Sequence, residues 1–317
     1  MTELAAGLTV RPPQLSDAEA ILRLAVEYFT RVLGRPVVTM AEIQEALGAS
    51  TFTPEQDGWL VLDGAGEVAG FGFVLLSGDR RFVQLSVITA DPAIAGWLLA
   101  TGTERARAAS GEKGNPEVTV QVGLFRADEE LRDVVSAAGF EFATSFLQLR
   151  IDHSAPLSLP EPPAGTKVHV GAYDESARRA THEALTAAFE GQDSAELPPY
   201  GEWLESHEQS PFFDWSQLTL VERDGQVLAA SDRNDSFVET ENCGYVGRLG
   251  VRAEARGLGL AKYLLRHAFA TDAAAGRVGT ILHVDTSNPT PALGLYESVG
   301  MRTVEIADSW DRRLPTL

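Results

Sequence analysis

The chain has 317 residues, of which 44% are hydrophobic and 22% charged, with a mean hydropathy of −0.06. This length predicts about two globular domains, and the composition excludes a wholly disordered chain. No apolar run reaches the roughly 18 residues of a membrane span, and the N-terminal residues lack the basic and apolar regions of a secretion signal. We therefore expect a cytoplasmic protein.

The charge balance restricts the classes of molecule that the protein is expected to bind. The net charge is −19 and the sequence pI is near 4.7. Such a surface repels phosphate backbones and anionic headgroups, so we expect neither nucleic acid nor membrane as a partner. Small cationic molecules are favoured instead. The single cysteine, Cys243, excludes an internal disulfide framework and a cysteine-rich metal site, and we expect no bound metal.

Hydrophobic periodicity predicts a mixed α/β first half that begins with a strand and an amphipathic helix. The predicted strands are Leu8–Arg11, Trp59–Leu62, Glu67–Leu76, Arg81–Thr89, Val118–Phe125 and Phe140–Ile151, and the predicted helices are one starting near Ser16, Met40–Leu47, Ile94–Ala109 and Asp128–Ala138.

A proline-rich segment then separates this half from a second half with the same order of elements. We expect domains at 1–153 and 167–317, joined by a linker at 154–166. The similar order indicates duplication, the alternative being two unrelated α/β domains. The second half is predicted to contain the strands Val168–Ala172, Leu218–Glu222, Gln226–Ala230, Gly244–Val251, Thr280–Asp285 and Arg302–Arg312, and the helices Glu175–Phe189, Gly259–Ala274 and Pro291–Val299.

The most informative segment is Leu249–Leu265, in which an apolar strand leads through Arg256, Gly257 and Gly259 into an amphipathic helix. Glycines at a helix entrance allow close approach of a ligand and leave amide N–H groups directed outward. This arrangement suits a pyrophosphate. Walker A is excluded because no Gly-Lys-Ser/Thr follows, and the dinucleotide fingerprint is excluded because Ala261 replaces its third glycine. A glycine turn that merely packs is the remaining alternative.

This segment resembles the coenzyme-A-binding motif of the GCN5-related N-acetyltransferase (GNAT) superfamily, Gln/Arg-x-x-Gly-x-Gly/Ala. The stretch from His283 to Met301 resembles the Asn-x-x-Ala-x-x-Leu-Tyr-x-x-x-Gly-Phe segment of the same family. The fold class implied is α/β, with an α+β mixed sheet in each of two tandem acetyltransferase-like domains. The resemblance also implies acetyl-CoA as a co-substrate.

By the same resemblance, the strand backbone of Leu249, Gly250 and Val251 binds the pantetheine arm and polarises the thioester carbonyl. Asn288 bonds the pantetheine, and Tyr296 protonates the departing thiolate, a packing role for this tyrosine being the alternative. The loop expected to hold the pyrophosphate consists of Arg256, Gly257, Leu258, Gly259, Leu260, Ala261 and Lys262.

The corresponding stretch of the first half, Leu85–Leu99, has neither the arginine nor the paired glycines. Asp91 repels a pyrophosphate there, and Pro92 removes an amide donor. We therefore interpret the first domain as degenerate and expect one coenzyme A site per chain.

An amine acceptor is protonated at neutral pH and must lose a proton before it attacks. The strand Gly244–Val251 carries no acid. The candidates for the general base are His283, on the neighbouring strand, and four acids in the segment that leads into Gly244: Asp232, Asp235, Glu239 and Glu241. His283 is the expected catalytic residue, with a packed histidine as the alternative. Cys243 is expected to be a small buried residue rather than a nucleophile.

The predicted function is acetyl-CoA-dependent N-acetylation of a small, cationic primary amine by direct transfer in a ternary complex, in a monomer or homodimer. The tandem arrangement is similar to that of mycothiol synthase, so acetylation of a cysteinyl amine is an alternative. Tyr245 stands where that enzyme's pattern has an acidic residue, and His283 stands where it has a tyrosine. The sequence also leaves open transfer of an aminoacyl group from a carrier such as tRNA, and a catalytically inactive regulator that binds acyl-CoA.

Overall fold

The computed structural model describes residues 4–49, 52–76, 78–190, 197–287 and 292–317. In chain order, the elements up to the middle of the chain are β1 (Thr9–Arg11), α1 (Ala18–Leu33), α2 (Met40–Gly48), α3 (Pro54–Asp57), β2 (Gly58–Leu62), β3 (Val68–Leu75), β4 (Phe82–Ile88), α4 (Pro92–Gly111), β5 (Glu117–Phe125), α5 (Glu129–Ala137) and β6 (Glu141–Asp152).

The remaining elements are β7 (Lys167–Val170), α6 (Glu175–Phe189), α7 (Tyr200–Gln209), β8 (Thr219–Arg223), β9 (Gln226–Asn234), α8 (Val238–Glu241), β10 (Cys243–Val251), α9 (Leu260–Ala274), β11 (Gly279–Asp285), α10 (Ala292–Glu297) and β12 (Arg302–Pro315). Within the described residues, no helix is both long enough and apolar enough to cross a membrane.

The chain divides into two compact units, Met1–Phe146 with Ile306–Leu317 and Leu147–Glu305. This division differs from the expected domains 1–153 and 167–317 at the two longest strands. The C-terminal strand β12 pairs antiparallel with β5, from Ala307↔Phe125 to Pro315↔Glu117, and from Ile306 onward it belongs to the first unit. The end of β6 belongs to the second unit.

The first unit contains a mixed sheet in the order β1-β2-β3-β4-β5-β12. Strands β4 and β5 pair in parallel, from Phe82↔Thr119 to Gln84↔Gln121. Helix α4 covers this sheet with a buried face that includes Ile94, Leu98 and Leu99. The unit therefore has its own core, as a separately folding domain requires.

The second unit contains a sheet in the order β7-β8-β9-β10-β11, with the end of β6 beside β11. Helix α9 lies on one face, where Leu265 and Phe269 pack against Val246 and Leu282. Helices α6 and α7 lie on the other, where Leu185 and Trp203 pack around Ala230. Because successive strand residues alternate between these faces, each position of β9 and β10 is directed toward one helix layer or the other.

Most predicted elements are present in the structure. The predicted helix Gly259–Ala274 is α9 at Leu260–Ala274, and the predicted strand Arg302–Arg312 is extended as β12 to Pro315. The predicted helix Pro291–Val299 is shorter, α10 at Ala292–Glu297, and its first predicted residue lies outside the described residues. Helix α7 was not predicted.

Candidate functional site

The two central strands of the second unit separate along their length. Strands β10 and β11 pair in parallel from Cys243↔Gly279 to Val246↔Leu282. A register shift follows between Val246 and Arg248, where β10 bulges at Gly247. Beyond the bulge, β10 stays paired with β9 as far as Val251↔Ala229. The edge of β10 that faces β11 therefore opens into a cleft after Val246.

The predicted pantetheine-binding residues lie on this open edge. Leu249, Gly250 and Val251 pair with Ser231, Ala230 and Ala229 of β9, respectively. In an antiparallel ladder, the N–H and C=O groups of alternate residues point away from the paired strand. Along β10 those groups face the cleft, so an extended ligand with amide groups has backbone partners there.

Past the open edge, the chain reaches the entrance of α9 through a short 3₁₀ turn, Ala253–Ala255, and a loop with two left-handed glycines. Gly257 has a φ of +78° and Gly259 a φ of +79°. A Cβ atom on either glycine would meet no atom within 4 Å. These glycines are therefore required by the backbone conformation rather than by crowding.

The start of α9 presents free helix amides. Gly259 is the N-cap and supplies no side-chain acceptor. The first amides of the helix, from Leu260, Ala261 and Lys262, have no partner within the helix. Their N–H groups and the helix dipole make this end positive, which favours an anion.

The flanking residues of this loop have different surroundings. The Arg256 guanidinium donates through Nη2 to the carbonyl oxygen of Ala188 on α6 at 3.2 Å, which ties the loop to that helix. Leu258 and Lys262 are exposed. The structure thus brings together the loop that the motif predicted, from Arg256 to Lys262, at the mouth of the cleft.

A second group of predicted residues meets on the cleft face formed by β10 and β11. His283 Nδ1 lies 3.1 Å from the Tyr245 hydroxyl. The Phe237 ring contacts both, with ring centroids 5.1 Å from Tyr245 and 5.7 Å from His283. The His283 ring is exposed and is not packed into the core.

This aromatic setting changes the acid–base properties of both groups. The pKa of Tyr245 is raised to about 12, mainly by burial. The Asp232 carboxylate acts in the same direction, and Arg248 opposes it. Partial desolvation by its neighbours lowers the pKa of His283, and the Glu241 carboxylate partly offsets that effect. Tyr245 is therefore a neutral phenol and His283 a neutral imidazole at neutral pH.

Tyr296 lies on α10, half-buried against the core cluster that includes Leu282 and Met301. Burial raises the pKa of its phenol. Tyr296 also contributes to the raised pKa of Tyr245. Asn288 lies outside the described residues.

The four acids proposed as alternative bases have separate surroundings. Glu241 pairs with Arg150 at 2.9 Å, and Asp235 lies 3.6 Å from Arg277. Glu239 is exposed on α8. Asp232 is buried and pairs with His207 of α7 at 2.8 Å. His207 was not identified from the sequence because its helix was not predicted.

Cys243 is fully buried at the start of β10, and burial raises the pKa of its thiol to about 11. The thiol is therefore protonated at neutral pH and unsuited to nucleophilic attack. This agrees with its expected role as a small packing residue.

Comparison with known proteins finds a family whose model matches most of the second unit. Residues 179–301 match the model of the Acetyltransferase (GNAT) family. The chain is 35% identical over 114 residues to mycothiol acetyltransferase from Thermomonospora curvata, and 31% identical over 178 residues to the same-named protein from Thermobispora bispora. These alignments cover 35% and 52% of this chain but only 37% and 56% of the relatives, so the chain spans about half their length or less.

Solved structures share the fold of the whole chain. A GCN5-related N-acetyltransferase from Sphaerobacter thermophilus superposes with a TM-score of 0.83 at 22% identity, covering 99% of this chain and 98% of that one. A tandem GNAT protein from the clavulanic acid biosynthesis pathway superposes with a TM-score of 0.71 at 15% identity, covering 96% and 98%. These likenesses confirm the predicted fold class, two tandem mixed α/β acetyltransferase-like domains. With its matching segment, its separating strands and its glycine loop, the second unit is similar to proteins of the GCN5-related N-acetyltransferase family.

Proposed function

We propose that the protein is an acetyl-CoA-dependent N-acetyltransferase that acts on a small primary amine by direct transfer in a ternary complex. One observation carries the proposal: the open edge of β10 is followed, after a short turn and the glycine loop, by the uncapped entrance of α9. A strand edge with free amide groups and a positive helix end fit an extended ligand that has amides along its length and phosphates at one end. Coenzyme A has that form.

The residues that hold acetyl-CoA are those of the edge and the loop. The amides of Leu260–Lys262 receive the pyrophosphate, and the backbone of Leu249–Val251 receives the pantetheine arm. Bound acetyl-CoA supplies an activated acetyl thioester. A backbone N–H of the open edge, aimed at the thioester oxygen, stabilises the negative charge that develops there during attack. These donors are already in place, which lowers the reorganisation cost of the reaction.

Two side chains handle protons. His283 is neutral at neutral pH, and when its Nδ1–H donates to the Tyr245 oxygen, Nε2 keeps a lone pair for a proton of the amine. Tyr296, kept protonated by burial, donates its phenolic proton to the departing thiolate.

A second candidate concerns the acceptor. The relatives with 30–35% identity are named mycothiol acetyltransferase, which favours a cysteinyl amine. Tyr245 and His283 stand where the resemblance led us to expect an acid and a tyrosine, so we rank this acceptor below a general primary amine.

The test is a thiol-release assay with acetyl-CoA and a panel of primary amines that includes a cysteinyl amine masked at sulfur. Thiol release only in the presence of an amine is expected, and Gly259→Asp, which blocks the helix entrance, is the matched inactive control. Acetyl-CoA binding without turnover on any amine would contradict the enzymatic proposal and favour a regulator. Selective turnover of the cysteinyl amine would establish the second candidate.

A further inference from the structure

A buried histidine–aspartate pair lies beside the cleft and has no part in the mechanism above. Asp232 of β9 is 6% exposed, and its Oδ2 lies 2.8 Å from Nε2 of His207 on α7. The imidazole of His207 is enclosed by aromatic rings, with centroids at 4.4 Å for Trp203, 4.5 Å for Phe213 and 5.8 Å for Trp215. Such rings attract a cation.

The hydrogen bonds of His207 fix the number of protons in this pair. Nδ1 lies 2.8 Å from the carbonyl oxygen of Trp203, which only accepts, so Nδ1 carries a proton. The nearby Ser206 hydroxyl donates its own hydrogen bond to the same carbonyl oxygen. Nε2 faces a carboxylate oxygen, so a proton lies between Nε2 and Oδ2 as well. The pair is an imidazolium bound to a carboxylate or its tautomer.

The other carboxylate oxygen, Oδ1, lies near the bulge of β10. Oδ1 of Asp232 lies beside the bulge, where a Cβ atom built on Gly247 would be 3.7 Å away from it. Among the described residues, Oδ1 has no hydrogen-bond partner, while Oδ2 is held by His207. Gly247 itself is exposed, so this side of the bulge borders solvent.

Asp232 is also close to the proposed acceptor face. It stands opposite Arg248 in the ladder between β9 and β10, and its charge acts on the Tyr245 phenol. Tyr245 in turn contacts His283. A group bound at Oδ1 therefore lies next to the bulge at which the cleft opens and on the face that carries the proposed base.

We propose that Asp232, oriented by His207, binds the ammonium form of the acceptor and thereby selects cationic amines. This inference rests on the proposed function for its role in catalysis, but the ammonium site is defined by the pair itself. His207 is a positioning residue: by holding Oδ2 it directs Oδ1 toward the bulge. No bond forms or breaks at Asp232, because the proton leaves the ammonium for His283.

A binding experiment tests the site without turnover. In protein labelled with ¹⁵N-histidine, the ring signals of His207 are identified by their absence in His207→Gln. In protein saturated with coenzyme A, propylamine should move these signals in a saturable titration. Propanol, its neutral counterpart, should not. Asp232→Asn should abolish the response to propylamine. An equal response to both probes, or none to propylamine, would overturn the proposal.

A kinetic experiment tests the role in catalysis with the best amine from the thiol-release screen. Asp232→Asn should raise KM for this acceptor by about 10- to 100-fold, as expected for one hydrogen bond to a charged group, and should leave KM for acetyl-CoA unchanged. His207→Phe should have a similar effect, and His207→Gln should restore most of the affinity because its amide N–H donates to Oδ2. If Gln and Phe act alike, His207 does not position Asp232. Absence of turnover in the unmodified enzyme contradicts the proposed function and leaves the binding experiment decisive.

Discussion

The entrances of α4 and α9 show how two similar folds differ at one ligand site. Both follow a strand that pairs in parallel with the next strand over a few residues, β4 with β5 and β10 with β11. At α9 the N-cap is Gly259, and the first amides are free for a ligand. At α4 the N-cap is Asp91, whose carboxylate accepts from the amides of Ala93 at 2.7 Å and Ile94 at 3.2 Å.

The first unit therefore satisfies its helix amides with its own carboxylate, whereas the second leaves the corresponding amides without a side-chain cap. Pro92 removes a further donor, and the register between β3 and β4 continues without a bulge from Gln84 to Ile88. A cavity of about 480 Å³ beside this entrance is lined by Glu27 and Asp91, and its Arg31 is paired with Glu130. We infer that the same fold tolerates either a side-chain cap or a set of uncapped amides at this helix end.

The largest expected effect is that of Gly259→Asp, which gives α9 a carboxylate like that of Asp91. The substitution places a side chain at a φ of +79° and sets a negative charge against the pyrophosphate. Coenzyme A affinity should fall by about 10⁴-fold, as estimated from backbone strain and the loss of charge-assisted hydrogen bonds. Calorimetry measures this loss. Gly276→Asp is the matched control, since Gly276 has a φ of +77° just beyond the other end of α9 and should retain affinity.

Tyr296→Phe tests whether the second unit has a catalytic acid that the first unit lacks. The first unit has no tyrosine at the corresponding position near Val134–Ser136. Turnover should fall by about 10²- to 10⁴-fold, the usual contribution of one acid–base group. The loss should appear in kcat, with little change in acetyl-CoA affinity, because the ring continues to pack. The exposed Tyr173→Phe serves as a control. An unchanged kcat would show that the Tyr296 hydroxyl is not the catalytic acid and that the residue only packs.

His283→Gln tests the proposed base through the pH dependence of kcat/KM. The lowered pKa of His283 keeps the imidazole neutral at neutral pH, so activity should be level there and should fall only as the pH drops through that lowered value. The substitution should reduce kcat/KM by about 100-fold and remove this acidic limb. A variant that keeps the limb would assign it to another group.

The smallest effect is expected from Asp91→Ala. Loss of the cap should lower the free energy of unfolding by about 1 kcal/mol, and thermal denaturation measures the change. Asp174→Ala on α6 is a matched control, because Asp174 caps its helix through the amide of Ala177 at 2.8 Å. Removing the carboxylate should not create a coenzyme A site, since Pro92 lacks an N–H and no glycine loop is present. A new binding site in Asp91→Ala would show that the cap alone closes the first unit.

Local signals made much of the fold and the loop predictable from the sequence. Arg256, Gly259 and Ala261 located the helix entrance because a left-handed backbone there requires glycine, and Asp91 was identified because its charge and its proline neighbour oppose a phosphate. The bulge at Gly247, which shifts the register of β10, has no clear sequence signal.

Non-local features escaped prediction. Strand β12 pairs with β5, which lies far away in the sequence, so composition and periodicity do not indicate its partner. Helix α7 begins after Pro199 without a side-chain cap, and Trp203 is its only buried residue, so its helical periodicity is weak. The His207–Asp232 pair forms only when this helix packs on β9, so the sequence alone could not identify it.

We propose that only the second unit has a coenzyme A site. The number of coenzyme A molecules bound per chain tests this proposal. Isothermal titration of the full chain with coenzyme A should give one site per chain, and that site should be lost in Gly259→Asp. Two sites per chain, or a single site that survives Gly259→Asp, would contradict this account.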